Sequence, residues 1–308
     1  MVCICAVFTH CKTKPVSLVV QEISSGTGYD LSSIYMVDDS VGFIVGGSRY
    51  DIGIVLKTTD AGDSWSIDSI SPKRLYGVHF TADRTGFVVG FDGKIFGTKD
   101  DGQFWTLLES AFVPLYDVSF ADDKNGVAVG GAGYKQGYIM RTNDGGDTWS
   151  LETIGRELRT IIFINDTMGF IGGYGVVMKT EDAGATWDTT DARGDFFVSI
   201  DYSKPIGLYA AGSNGSVIRS QDKGETWTTQ INGNTHVINR FSFRAIQVLY
   251  GPYAYVVGKN GKIMSVYSNG SKWSNEKRFT EMHLNDVSIQ PSGLNIAVGD
   301  GGVIYKFF

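Results

Sequence analysis

Arg141-Thr142-Asn143-Asp144-Gly145-Gly146-Asp147-Thr148-Trp149 decides how this chain is read, because the same pattern returns along its length. Asp60, Asp100, Asp144, Asp182 and Asp222 each stand two residues before a glycine and five before a tryptophan: Trp65, Trp105, Trp149, Trp187 and Trp227. An eroded sixth copy runs from Ser268 through Gly270 to Trp273, with serine in the place of the aspartate, so every tryptophan sits in one motif. The recurrence at about 40 residues is the length of a four-stranded propeller blade. Each copy reads as a hairpin corner. Its aspartate accepts hydrogen bonds from turn amides two or three residues on, and its glycine supplies the positive φ of the turn. The hydroxyl before the tryptophan ties down a further backbone group, and the indole folds against neighbouring strands.

This pattern resembles the Asp-box, or BNR, repeat S/T-x-D-x-G-x-T-W of sialidases and other propellers. The match is specific from Asp144 to Trp149 and from Asp222 to Trp227, and departs at Gln103-Phe104 and in the Ser268 copy. The repeat names a structural device and no activity, because such turns lie on the rim, away from the ligand-binding end.

Outward from these corners, inner strands with alternating apolar residues are expected at 75–81, 115–121, 158–165, 196–203, 243–250 and 284–290. The first blade is expected at 31–37, 41–45, 54–58 and 64–69. Short glycine-flanked second strands follow each inner one, at 42–46, 86–90, 126–130, 169–172, 208–212, 255–258 and 296–299, the small residues suiting a crowded axis where neighbouring blades converge. Seven of each count seven blades. The last unit ends at residues 302–308 without a fourth strand, and residues 16–23 form a strand without a corner. The expected fold is therefore all-β: a seven-bladed β-propeller of four-stranded antiparallel blades, closed by the N-terminal strand in the last blade, occupying 16–308 as one domain.

The chain has 308 residues, 42% of them apolar and 13% aromatic, which suffices for a sizeable core. A net charge of −6 argues against general nucleic-acid binding. All three cysteines, Cys3, Cys5 and Cys11, fall in the first eleven residues. A metal site from this cluster lacks a partner set. The better reading is a signal-like tail over 1–15, with apolar residues from Val2 to Phe8 and Cys11 as the lipidated residue of a lipoprotein. That places the protein in the periplasm or on the cell envelope, attached peripherally through lipid. A monomer is expected, and no cofactor motif is present.

In an up-down-up-down blade, the corners mark one side of the disc and the interblade crossovers the other. Arg49, Arg74, Arg156, Arg159, Arg193, Arg240, Arg244 and Arg278 fall in or beside loops of the crossover side. Only Arg84, Arg141 and Arg219 fall elsewhere, and the corner side collects the aspartates. Guanidinium groups hold carboxylates by paired hydrogen bonds and stack on aromatics, so this face suits an anionic or acidic peptide partner. Tyr50, Phe112, Tyr134, Tyr174 and Phe196 lie in the same loops and supply apolar anchors. The competing reading pairs these arginines with Asp51, Glu109, Glu157, Asp191, Asp195 and Glu281. His236 and His283 read as ordinary crossover residues.

Seven glycine-flanked blades, five or more Asp-boxes and closure by the N-terminus together look like the photosystem II assembly and stability factor family and its bacterial relatives. The resemblance runs from about residue 16 to residue 308. It implies a non-enzymatic propeller, often lipid-anchored in bacterial members, that holds a partner protein through an arginine patch. The alternative is a sialidase-like or other glycoside hydrolase. That reading needs an arginine triad, a Tyr-Glu nucleophile pair and an acid, with Glu109, Glu157 and Glu281 as the available glutamates. It lacks the Phe/Tyr-Arg-Ile-Pro motif, and sialidases have six blades. Calcium at the acidic turns is a third possibility, although no D-x-[DN]-x-[DN]-G loop occurs.

Overall fold

In the computed structural model, residues 19–204, 206–233, 242–249, 254–267, 272–275, 278 and 280–308 are described. Cys11, Arg240, His236, the start of the N-terminal strand and Ser268 to Ser271 of the eroded corner lie outside them. The strands form seven four-stranded antiparallel sheets. The first contains Asp30–Met36, Gly42–Ser48, Ile52–Thr58 and Ser66–Ser71 in that order. The inner strands Asp30–Met36, Leu75–Phe80, Leu115–Phe120, Leu158–Phe163, Phe197–Ser203, Phe243–Val248 and Leu284–Ile289 pack on one another around a ring that closes from last to first.

Closure follows the expected route. Val20–Ile23 pairs antiparallel with Ile304–Phe307, so the last blade takes its outer strand from the beginning of the chain. Ile23 is buried with Ile296 and Ile304 of that blade and Leu31, Ile44 and Leu56 of the first. The strand therefore adds apolar burial at the seam as well as hydrogen bonds. Among the described residues no helix is long and apolar enough to cross a membrane.

The corners join neighbouring blades. Trp105 lies edge-on to Phe80 of its own blade at 6.1 Å and to Phe43 of the preceding blade at 6.3 Å. Trp149 repeats this with Phe120 at 6.0 Å and Phe87 at 6.4 Å. Gly146, at φ 90°, rests on Phe87, and a β-carbon there would come within 2.5 Å of the ring. The corner glycine thus answers two demands, a left-handed turn and a close fit between blades.

The aspartate geometry differs in detail from the sequence expectation. Asp144 Oδ1 accepts the Thr148 N–H, four residues on, at 2.9 Å, and Oδ2 accepts the Thr148 hydroxyl at 2.5 Å. The hydroxyl thus closes onto the aspartate itself and not onto backbone. A second hydroxyl, buried Thr142, donates to Asp144 Oδ1 at 2.7 Å and accepts the Gly146 N–H at 2.9 Å. Asp60, Asp182 and Asp222 repeat the arrangement with Ser64, Thr186 and Thr226. Asp100 accepts only the Gln103 and Phe104 amides and the Thr98 hydroxyl, because Phe104 replaces the corner hydroxyl. These bonds favour the charged form. The Ser64 hydroxyl holds Asp60 at about 2, and the equivalent hydroxyls hold Asp144, Asp182 and Asp222 at the same level. Asp100 is lowered as well, chiefly by the Phe104 amide.

Two expectations about the inner blade are corrected. The alternation of the inner strands is broken once in each, by a register shift between Leu31 and Ser33, Leu75 and Gly77, Leu115 and Asp117, Leu158 and Thr160, Phe197 and Ser199, Phe243 and Ala245, and Leu284 and Asp286. Most glycines ending the second strands answer to the start of their own inner strand, as where a β-carbon on Gly130 would strike the Pro114 carbonyl, and the expected contact with a neighbouring blade holds at Gly172, which meets Ile200 and Phe197.

Candidate functional site at the channel mouth

A β-bulge inserts one residue and re-aims side chains, and here the same insertion occurs seven times at one level. The inserted residues are Ser32, Tyr76, Tyr116, Arg159, Val198, Arg244 and Asn285, and all of them line one opening of about 470 Å³. The opening lies where the inner strands begin, at the central channel on the crossover side, opposite the Asp-box corners. Arg74, Tyr134, Phe196 and Ser213 line it from the surrounding loops.

Three of the expected arginines therefore come together here: Arg74, Arg159 and Arg244 from the second, fourth and sixth blades. Each is steadied by a carboxylate. Arg74 Nη1 donates to Asp30 Oδ2 at 2.8 Å and its Nε to the Ser32 hydroxyl at 2.9 Å. Arg159 Nη2 donates to Glu157 Oε1 at 2.6 Å. Arg244 Nη1 donates to Asn285 Oδ1 and reaches Asp300 at 3.3 Å. Arg159 lies 3.8 Å over the Tyr116 ring and 5.3 Å from the Phe196 ring. A guanidinium stacked on aromatics and paired on one edge is fixed in place while its remaining N–H groups stay available.

The other arginines stand apart. Arg49 lies over Phe91 at 4.7 Å and Tyr50 at 5.5 Å in the turn between the first blade's second and third strands. Arg156 is exposed, its Nη1 donating to the Gly175 carbonyl at 3.5 Å. Arg193 folds back onto the Thr190 and Ala192 carbonyls of its own loop. Arg278 pairs with Glu281 at 3.3 Å, and Arg84 pairs with Asp38 and Asp101 among the corner aspartates. The pairing reading thus holds at Glu157 and Glu281, while Asp30 and Asp300 are partners the sequence did not suggest. The three glutamates of the hydrolase reading do not converge. Glu109 accepts the Ser110 amide in an outer strand, Glu157 is buried beneath Arg159, and Glu281 lies in a different crossover.

Below the mouth, channel side chains staple each inner strand to the next. Asp117 Oδ2 accepts the Ile161 N–H at 2.9 Å, Asp201 Oδ2 the Val248 N–H at 2.6 Å, and Asp286 Oδ2 the Ile34 N–H at 2.9 Å. Ser119 and Gln247 serve Phe163 and Ile289 in the same way, and His79 Nε2 accepts the Phe120 N–H at 3.3 Å. The inner edge of a blade has no strand partner, so these acceptors satisfy its otherwise unpaired N–H groups. Enclosure by the ring raises Asp117 and Asp201 to about 7 and Asp286 to about 6, and burial lowers His79 to about 4.

A wider groove of about 590 Å³ lies on the corner side between the fourth and fifth blades, where the outer strand Asp188–Thr189 is very short. Its one lining cation, Lys179, is held between Glu181 at 2.7 Å and Glu225 at 2.6 Å, so this acidic groove offers no free positive charge to an anionic partner.

The family model of the photosynthesis system II assembly factor YCF48 matches residues 98–193, which take in the third and fourth blades and the three corners at Asp100, Asp144 and Asp182. Among solved structures, one described as YCF48 bound to D1 peptide is 15% identical with a TM-score of 0.73, covering 94% of this chain and 96% of that one. YCF48 from Cyanidioschyzon merolae is 17% identical with a TM-score of 0.70, covering 94% and 98%. Virginiamycin B lyase from Staphylococcus aureus is 12% identical with a TM-score of 0.74, covering 94% and 99%. No protein with a curated description matches the sequence. One ring architecture thus carries both binding proteins and an enzyme, so the fold alone names no activity. The family match over residues 98–193, the similar solved folds and the seven closed blades together make this chain a seven-bladed propeller that resembles the photosystem II assembly factor family.

Proposed function

We propose that the chain is a non-enzymatic assembly or binding propeller that holds a segment of a protein partner, carrying carboxylates, across the channel mouth. The observation that carries this reading is the convergence of Arg74, Arg159 and Arg244 with Tyr76, Tyr116 and Phe196 around one opening, on an otherwise acidic molecule. Arginine on an aromatic ring suits a carboxylate recognised against an apolar background. The solved structure described as YCF48 bound to D1 peptide supports a protein or peptide partner. The proposal extends to export and lipid attachment through Cys11, which incorporation of a labelled fatty acid, lost in Cys11→Ser, would test.

The experiment is fluorescence polarisation of labelled decapeptides, one rich in glutamate and one in which serine replaces each glutamate, titrated with the full chain. The acidic peptide should bind, weaken with added salt, and lose affinity in the double variant Arg159→Gln/Arg244→Gln. Equal binding of the two peptides, or an unchanged affinity in the double variant, would reject the assignment.

A further inference from the structure

Beside Arg159, three aromatic rings from three separate loops meet. Tyr134 and Tyr174 are 5.0 Å apart between centroids, and Phe196 lies 5.9 Å from the first and 5.7 Å from the second. Phe196 is buried and forms the floor, while Tyr134 and Tyr174 are 55% and 48% exposed. Isolated exposed aromatics are ordinary, but a cluster with an open side and a buried base is the form of an anchor pocket.

The backbone beneath this cluster is also unusual. Tyr134 has φ 66°, a conformation that a bulky side chain disfavours. The corresponding turns of the second, fourth and fifth blades place Gly93, Gly175 and Gly215 in that region. The sixth blade's turn uses Asn260, so glycine or asparagine meets the turn, and a tyrosine held there points to a use for its ring.

Glu157 holds the arrangement together. Its Oε2 accepts the Tyr134 N–H at 2.8 Å, its own N–H donates to the Tyr134 carbonyl at 3.1 Å, and its carbonyl accepts the Tyr174 N–H at 2.8 Å. Its other carboxylate oxygen holds Arg159 at 2.6 Å. One buried residue therefore sets the position of both exposed rings and of the guanidinium. Arg156, beside the Tyr174 turn, places a second positive charge along the cluster.

We propose that this trio is the apolar half of the binding site, taking one aliphatic or aromatic side chain of an extended acidic peptide whose nearby carboxylate pairs with Arg159. The inference rests on the functional reading above and deepens it by naming the partner's pattern. The Arg159 guanidinium stands 5.3 Å from the Phe196 ring. Side chains two apart on one face of an extended chain are separated by about 6.6 Å, so the apolar and acidic residues should stand at i and i+2. Glu157 is the positioning residue, touching no ligand itself.

A random linear peptide library with free C-termini, panned on the full chain, tests this. The expected consensus has an apolar residue two positions from an acidic residue or a terminal carboxylate. Tyr174→Ala should bind the selected peptide about tenfold more weakly and select acidic peptides without the apolar preference. Arg159→Gln should lose the acidic preference. An acidic consensus with no fixed apolar position, or full affinity in Tyr174→Ala, overturns the inference and leaves the functional reading standing. A library that yields no acidic preference overturns both.

Discussion

Replacing Asp201 with asparagine should make the ring more stable at high pH, although it removes a charge that accepts two backbone hydrogen bonds. Asp201 accepts the Val248 N–H at 2.6 Å across the fifth and sixth blades, and enclosure with Asp286 nearby lifts it from 3.8 to about 7. A carboxyl raised on folding contributes stability below its unfolded value that is lost as pH climbs through its folded value. The window is therefore about pH 4 to 7, with the ionised, destabilised form above it. A shift of this size corresponds to about 4 kcal/mol. Asp201 is half-buried because it faces the channel. Its partial exposure screens the charge, which reduces the expected difference to roughly 2 kcal/mol. His79, held at about 4 by burial, acts in the opposite sense and loses stability as pH falls below its usual range. The difference between wild type and variant cancels that contribution. Urea unfolding at pH 5 and pH 8 is the assay. Asp201→Asn should gain at pH 8 and be close to neutral at pH 5, because the amide oxygen still accepts from Val248. A variant that is less stable at pH 8, or a stability difference independent of pH, would refute the account of the channel carboxylates.

Three further outcomes follow from the geometry. Gly146→Ala should cost more than about 2 kcal/mol by thermal or urea melting, since its methyl group meets Phe87 at a positive φ. A chain lacking residues 1–24 should melt at a lower temperature by at least about 2 kcal/mol of stability, because Ile23 leaves the seam and Ile304–Phe307 loses its partner strand. Glu157→Gln keeps the shape but removes the buried charge facing Arg159, so it should destabilise by about 1 to 2 kcal/mol and weaken acidic-peptide binding in the polarisation assay.

The corners were legible because their information is local. Aspartate, glycine, hydroxyl and tryptophan within six residues satisfy one another, and a pattern repeated that often exposes the blade length. The channel mouth was less legible. Its signal is present in Leu31-Ser-Ser-Ile34, Leu115-Tyr-Asp-Val118 and Leu158-Arg-Thr-Ile161, where apolar residues stand three apart before alternation resumes. That interruption is a bulge written in sequence, which a uniform alternation of inward and outward residues does not contain. Arg159, stacked on Tyr116, and Arg193, folded onto its own loop, both belong to the crossover side, and their positions in the sequence do not separate them.

The sequence by itself determined the blade, the number of blades and the closure, because each depends on hydrogen bonds and burial within one repeat or on a strand left without a partner. Only the tertiary structure decided which side chains face each other across the channel. Residues 32, 76, 116, 159, 198, 244 and 285 are spread over most of the chain and become neighbours only when the ring shuts. The same is true of Glu157, whose place beneath two tyrosines and an arginine depends on turns from adjacent blades meeting at one point.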